Sequence, residues 1–506
     1  MQTFNLIDQP WISVQMTDGS IKLMSLQDCF KQANEIKDLA GDSKAQDLSI
    51  LRLLLAILTR SYNDTIDPQK TWQKLYKTKY FAGALNYLHL QHDNFNFFGK
   101  KPFVQVTKDV FIKYALKGPK KLDFSSNKPV GVVPIKQINR SINESGNSLS
   151  TTSFTSTVDK NKIDLPHLIR WLITYQQFTG VSDKVKLTKE SNDAGELLSI
   201  KPIYLKGKTL AETLVLNLIL SQPQGKPTWE YSMDEYATRR LQNLQPESIP
   251  ELYTMQSRMI WLEWVDKQPI IHAATYPKVD RSNLFIEPMT TWHWNKKAFV
   301  PDNLNLNSNY LKSMWRNFGE YINDNNEKLK MPGIIKHIHH LEEADILPLD
   351  FELPLETTYC VKDKNASSQT PALEISDELV LPLKLAFENR LQIQDLIDKL
   401  QQVASKSIYY FGSQLNNLYD VDFRTNVLRD YYYQLDHQFK TWLKNTDQAK
   451  LTNEIDKEKQ FALKTAIGCM NNVIKNLQFK VAADGKTVFD YKNIAISKIR
   501  KELDLC

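Results

Sequence analysis

The chain has 506 residues, 42% of them hydrophobic and 24% charged, with a net charge of +6, the profile of an ordinary globular protein too long for one hydrophobic core. No apolar run reaches the roughly 18 residues of a membrane span. The four cysteines, Cys29, Cys360, Cys469 and Cys506, lie too far apart for a zinc knuckle or a disulfide framework, and a reducing cytoplasm fits them.

The opening "FNLIDQPWISV" at 4–14 cannot be a targeting signal, because Asp8, Gln9 and Pro10 interrupt its apolar core. Phe4 and Leu6, then Trp11, Ile12 and Val14, suit a short strand that turns at 8–10 and resumes, with "TDGS" at 17–20 marking the next turn. "LSILRLLLAIL" at 48–58 carries Arg52 and reads as a buried helix within 47–62; a second helix is expected near 71–90. Between 100 and 140, Lys100, Lys101, Lys108, Lys113, Lys117, Lys120, Lys121, Lys128, Lys136 and Arg140 face only Asp109 and Asp123. Such a segment attracts polyanions, and a solvated lysine-rich surface is the competing reading.

From 118 to 165 the chain turns polar and irregular, which predicts long loops suited to a partner. In "DLPHLIRWLITYQQF", Asp164 can cap a helix and Pro166 sits in its first turn; in "TLAETLVLNLIL", Thr209 and Glu212 have capping-box spacing. Residues 230–375 read as strands and loops around Trp229, Trp261, Trp264, Trp292, Trp294 and Trp315, most of them expected in the core. After Pro382, amphipathic segments at 383–415, 421–444, 448–478 and 488–504 predict a four-helix bundle. The fold class is therefore α+β, with a large mixed α/β N-terminal domain with long loops over 1–375 and a helical C-terminal domain over 376–506.

Catalytic constellations are missing from the sequence. It has no phosphate-binding glycine motif, and sixteen glycines are about half the usual frequency. It has no H-E-x-x-H and no G-x-S-x-G. "HIHH" at 337–340 could hold a metal through His337 and His340 only with help from Glu342 or Glu343, and a structural cluster is the simpler reading. Scattered carboxylates leave a nuclease centre open without pointing to one. The residues favour polyanion binding over catalysis.

The order of several blocks resembles the CasA family, the large subunit of the type I-E Cascade complex of bacterial CRISPR defence. "FNLIDQPWISV" is similar to the family's N-terminal signature, "KPFVQV" at 101–106 to its H-P-F-x-Q segment, and "ESGNSLSTTSF" with "LIRWLITYQQF" to its polar loop and R-W-L helix. "KGKTLAETLVLNLIL" and "EPMTTWHW" resemble further blocks, so the resemblance spans essentially the whole chain.

The resemblance implies a non-catalytic subunit that reads a short motif beside the target, the PAM, in double-stranded DNA from the minor groove. It also implies strand opening, R-loop formation with the CRISPR RNA held by the other Cascade subunits, and recruitment of a helicase-nuclease. The alternative is a scaffold bridging the RNA-bound complex to the nuclease without reading DNA. Carried over by position, the PAM-sensing loop falls on Phe154, Thr155 and Ser156, and the glycine loop on Gly180 and Val181. The lysine finger falls on Lys278 with Arg281 in reserve, and the wedge on Lys364 or Asn365. Relatives with a zinc-binding cysteine cluster differ here, because 264–280 contain no Cys; neither a metal nor another cofactor is implied.

Overall fold

The computed structural model describes residues 3–505, apart from 125–129, 140–158, 160–161, 182–184, 267, 303–311, 324–325, 349, 363–370 and 476. The chain divides into two compact units. One holds 1–310, 326–346 and 356–377; the other holds 311–325, 347–355 and 378–506.

The first unit begins with an antiparallel hairpin, Ile12–Met16 with Ile21–Met24, and Ile36–Leu39 adds to its other side. The turn at 17–20 follows from its chemistry: Asp18 Oδ1 accepts the Ser20 amide at 2.8 Å, and Gly19 takes φ +89°. Residues 4–8 differ from the expected strand. Asn5 pairs with Asn96 as an isolated bridge, and the chain then turns as the amides of Asp8 and Gln9 donate to the Asn5 carbonyl.

Helix Lys44–Ser61 runs through the core, with Leu48 and every residue from Ile50 to Leu58 buried. Its Arg52 is also fully buried, 2.8 Å from Glu287 and stacked over the Tyr253 ring. The helix expected near 71–90 is two helices, Pro68–Thr78 and Ala82–Leu90, because Lys79 adopts the left-handed conformation and ends the first. Asp164 caps helix Leu165–Phe178 by accepting the His167 amide at 3.0 Å. At Thr209 only half the capping box forms, since Glu212 accepts from the Lys208 amide instead.

Residues 230–375 contain the expected strands, among them the long hairpin Arg258–Val265 with Gln268–Thr275. They also contain helices Met233–Leu241, Ile249–Thr254 and Gly333–Glu343, which the Trp-rich composition concealed. Ile203–Leu205, Glu352–Lys362 and Pro371–Pro382 form another sheet, with Glu352–Lys362 in the middle.

In the second unit, helices fill the four amphipathic stretches after Pro382. They are Leu383–Glu388, Arg390–Gln402 and Tyr409–Tyr419 in the first, then Phe423–Asn445, Leu451–Ile474 and Val488–Glu502. Their apolar stripes meet through Ile393, Leu396, Phe411, Tyr431, Phe439, Ala466 and Ile499, all buried.

Candidate nucleic-acid interface

The end of helix Leu165–Phe178 delivers Thr179, Gly180 and Val181 to a layered arrangement of three chain segments. Segment 191–195 lies in the middle. On one side the Gly195 amide donates to the Thr179 carbonyl at 2.9 Å, and Asn192 Nδ2 donates to the Val181 carbonyl. On the other side the Asp193 amide donates to the Tyr276 carbonyl at 3.0 Å, and the Lys278 amide donates to the Ser191 carbonyl at 2.8 Å. Gly195 is required here, since a Cβ would collide with the Gln177 carbonyl. Gly180, Val181 and Lys278, separated in sequence by nearly a hundred residues, are thus drawn to one region.

Buried charge fixes the layers. Asp193, with no exposed side-chain surface, takes Arg240 on one oxygen at 2.6 Å and Arg281 on the other at 3.1 Å; Arg281 also meets Glu196 at 2.7 Å. Arg258, fully buried, donates to the Asp193 carbonyl at 2.9 Å and to the Gly180 carbonyl, pinning the glycine's backbone. Burial opposes the Arg281 charge, but Asp193 and Glu196 outweigh it and raise its pKa. This corrects the reserve assignment of Arg281 as a finger: its guanidinium is committed to two buried carboxylates.

Lys278 has the opposite environment. It is exposed between buried Pro277 and Val279, and among the described residues no carboxylate pairs with it. Asp280 instead accepts from the Ser282 amide at 2.9 Å. Lys362, at the end of strand Glu352–Lys362, is half-buried and also has no described anionic partner. Burial, and then the like charges of Arg281 and Lys278, pull its ammonium below the ordinary lysine range. Lys278 and Lys362 thus bring two ammonium groups without an ion pair among the described residues beside a pinned backbone loop, with Asp280 near enough to feel the Lys278 charge.

The other candidates, Phe154, Thr155, Ser156, Lys364 and Asn365, lie outside the described residues. Lys362, Asn192 and Arg258 were missed in the sequence. Asn192 and Gly195 had a signal in the polar "SNDAGE" connector; Lys362 had only its place immediately before the expected wedge. Much of the lysine-rich segment is structurally committed: Lys101 donates to Asn94 at 3.0 Å, Lys113 pairs with Asp234 at 2.6 Å, and Lys108 lies 3.6 Å from Glu263. Lys117, Lys120 and Lys121 stay exposed. Among the described residues "HIHH" joins no group of possible metal ligands: His337 is partly buried edge-on to Trp72, while His339 faces Glu342 and Glu343 at 3.6 Å.

Residues 5–467 match the family model of the CRISPR-associated protein Cse1. The chain belongs to the Cse1 family. The CasA/Cse1 protein of Thermus thermophilus is 26% identical over 239 residues, a match covering 46% of this chain and 42% of that protein. The Cse1 crystal structure from Thermobifida fusca superposes with a TM-score of 0.78 at 21% identity, over 99% of this chain and 97% of that one. A chain of a CRISPR RNA-guided surveillance complex gives 0.68 at 13% identity, over 99% and 100%. At these identities the structural likeness establishes the Cse1 fold, while residue roles rest on the geometry of this chain. Three of the blocks recognised in the sequence make structural contacts: Arg170 of the R-W-L helix donates to the Trp11 carbonyl at 2.7 Å, and Glu287 of "EPM" is the buried partner of Arg52.

Proposed function

We propose that this Cse1-family chain is a non-catalytic, cytoplasmic subunit of an RNA-guided CRISPR surveillance complex that reads the PAM of double-stranded target DNA. Lys278 enters the minor groove, where a flexible cation meets base acceptors, while the Gly180–Val181 backbone approaches beside it. Lys362 meets a flanking phosphate. Phe154, Thr155 and Ser156 belong to the loop contacting the same motif, and Lys364 or Asn365 supplies the wedge that opens the first base step for the guide RNA. The helical C-terminal region, with the other subunits, receives the helicase-nuclease.

The observation that carries this reading is the contrast at one turn. Arg281 is neutralised by Asp193 and Glu196, while Lys278, three residues earlier, is exposed and unpaired among the described residues. The test is a gel-shift series over all PAM variants with the reconstituted complex, wild type against Lys278→Ala and Asn365→Ala. PAM-dependent affinity that Lys278→Ala weakens is expected. Equal affinity for every PAM would overturn the reading, and PAM dependence untouched by Lys278→Ala would favour a scaffold role for this segment.

A further inference from the structure

The short sheet formed by Leu329–Lys330, Trp292–Trp294 and Phe299–Pro301 is used by none of the groups described so far. Its register pairs Trp294 with Phe299 and Trp292 with Lys330, so these four side chains share one face. The Asn283 amide donates to the Phe299 carbonyl at 2.8 Å, which sets Phe285 against the same face, its ring 5.2 Å from Trp292 and 5.7 Å from Phe299. Trp292 is buried beneath, yet Trp294 is 42% exposed and Phe285 41%. Trp229, Trp261 and Trp315, by contrast, are core residues.

Lysines surround these rings. Lys330 Nζ lies 4.1 Å from the Phe285 centroid and 4.7 Å from that of Phe299. Lys296 and Lys297 form the exposed hairpin tip; Asn295 Oδ1 accepts the amides of Lys297 and Ala298 at 3.1 Å, and Lys296 takes φ +79°. The Lys328 carbonyl accepts the Trp294 amide at 2.8 Å, bringing a fourth lysine to this edge. Among the described residues none of the four is ion-paired, and Glu327 is the neighbouring exposed acid.

We propose that this face binds unpaired nucleic acid, with bases stacking on Trp294 and the Phe285–Phe299 pair while Lys296, Lys297, Lys328 and Lys330 follow the phosphates. Exposed rings interleaved with cations suit a strand whose bases are free to stack, because every base offers a π-face and every phosphate a charge. A protein partner would favour an apolar centre depleted in lysine. In a complex that opens DNA the displaced strand is the natural ligand; that assignment rests on the proposed function, whereas strand binding by the chain itself does not.

The test is fluorescence anisotropy of labelled oligo(dT) with the full chain. Trp294→Ala weakens binding about tenfold, and Trp294→Tyr, which keeps a ring, restores most of it. Lys296→Ala/Lys297→Ala lowers the slope of log affinity against log salt by about 1.4, roughly 0.7 for each phosphate no longer neutralised. The proposal is overturned if Trp294→Ala binds as tightly as wild type with an unchanged thermal transition, or if duplex competes as well as single strand. Absence of oligo(dT) binding by the wild type would also overturn it and assign the face to a protein.

Discussion

Arg281 Nη1 lies 3.1 Å from Oδ1 of Asp193, deep under the loop that presents Lys278. The same carboxylate holds Arg240 at 2.6 Å, so one buried acid restrains two arginines from different elements. Removing it leaves Arg240 without a carboxylate and Arg281 with Glu196 alone in a low-dielectric site, which costs far more than an ion pair is worth on balance. Asp193→Ala is therefore expected to lose about 3–5 kcal/mol in urea unfolding. Lys278→Ala, at an exposed position, should stay within about 0.5 kcal/mol of wild type. A comparable loss for both would refute the division of this turn into a structural and a ligand-facing cation.

Lys278 and Lys362 repel each other, and in the proposed complex base acceptors at Lys278 and a phosphate at Lys362 relieve that repulsion. Neutralising both in Lys278→Ala/Lys362→Met should lower the salt slope of duplex binding by the complex by about 0.9, on roughly 0.9 for the one phosphate that Lys362 neutralises. Lys362→Met alone should raise the urea midpoint, because it removes a half-buried charge whose pKa is already depressed by burial and by Arg281 and Lys278. An unchanged slope in the double variant would show that neither lysine meets the backbone.

The sequence revealed elements whose signal is local. Asp164 and Pro166 announce helix Leu165–Phe178, and "TDGS" announces the hairpin turn, because capping and turn chemistry act over a few residues. It misled where composition stood in for periodicity, as over 230–375, and where one residue such as Lys79 broke a continuous apolar pattern. At the candidate site, Gly180, Val181 and Lys278 were legible only through family resemblance. The groups that bring them together, Asn192, Asp193 and Arg258, act through tertiary contacts of up to 88 residues' separation, as Asp193 with Arg281, and such pairings have no local signature.

Arg52 and Glu287 form a second test of buried charge. With side-chain exposures of 0% and 1%, the pair is fully buried, and Arg52 interrupts the apolar run 50–58 of its helix. Glu287→Ala should cost about 3–5 kcal/mol, whereas Arg52→Met/Glu287→Met, which fills the space without charge, should recover most of that loss. Urea unfolding of the three proteins measures both. A double variant no better than Glu287→Ala would mean that packing around Met289, whose amide donates to Glu287 at 3.0 Å, matters more than the charge.

His337 gives the chain a pH-dependent term in its stability. The ring is partly buried edge-on to Trp72, 6.1 Å between centroids, and that burial, followed by the nearby His340, lowers its pKa from 6.5 to about 4. The folded protein therefore refuses a proton that the unfolded chain accepts. The sign follows from that difference: this contribution is fully present above pH 6.5, declines as pH falls toward about 4, and is gone below it. Its size is about 3–4 kcal/mol, from some 2.5 pH units at about 1.4 kcal/mol each. His337→Phe keeps a ring against Trp72 and cannot titrate, so its unfolding free energy should fall less between pH 7 and pH 4 than that of the wild type by about this amount. Parallel pH profiles for the two proteins would place the acid sensitivity in other buried groups, of which Asp47, raised to about 6 chiefly by burial, has the opposite sign: it favours the folded state as the pH falls.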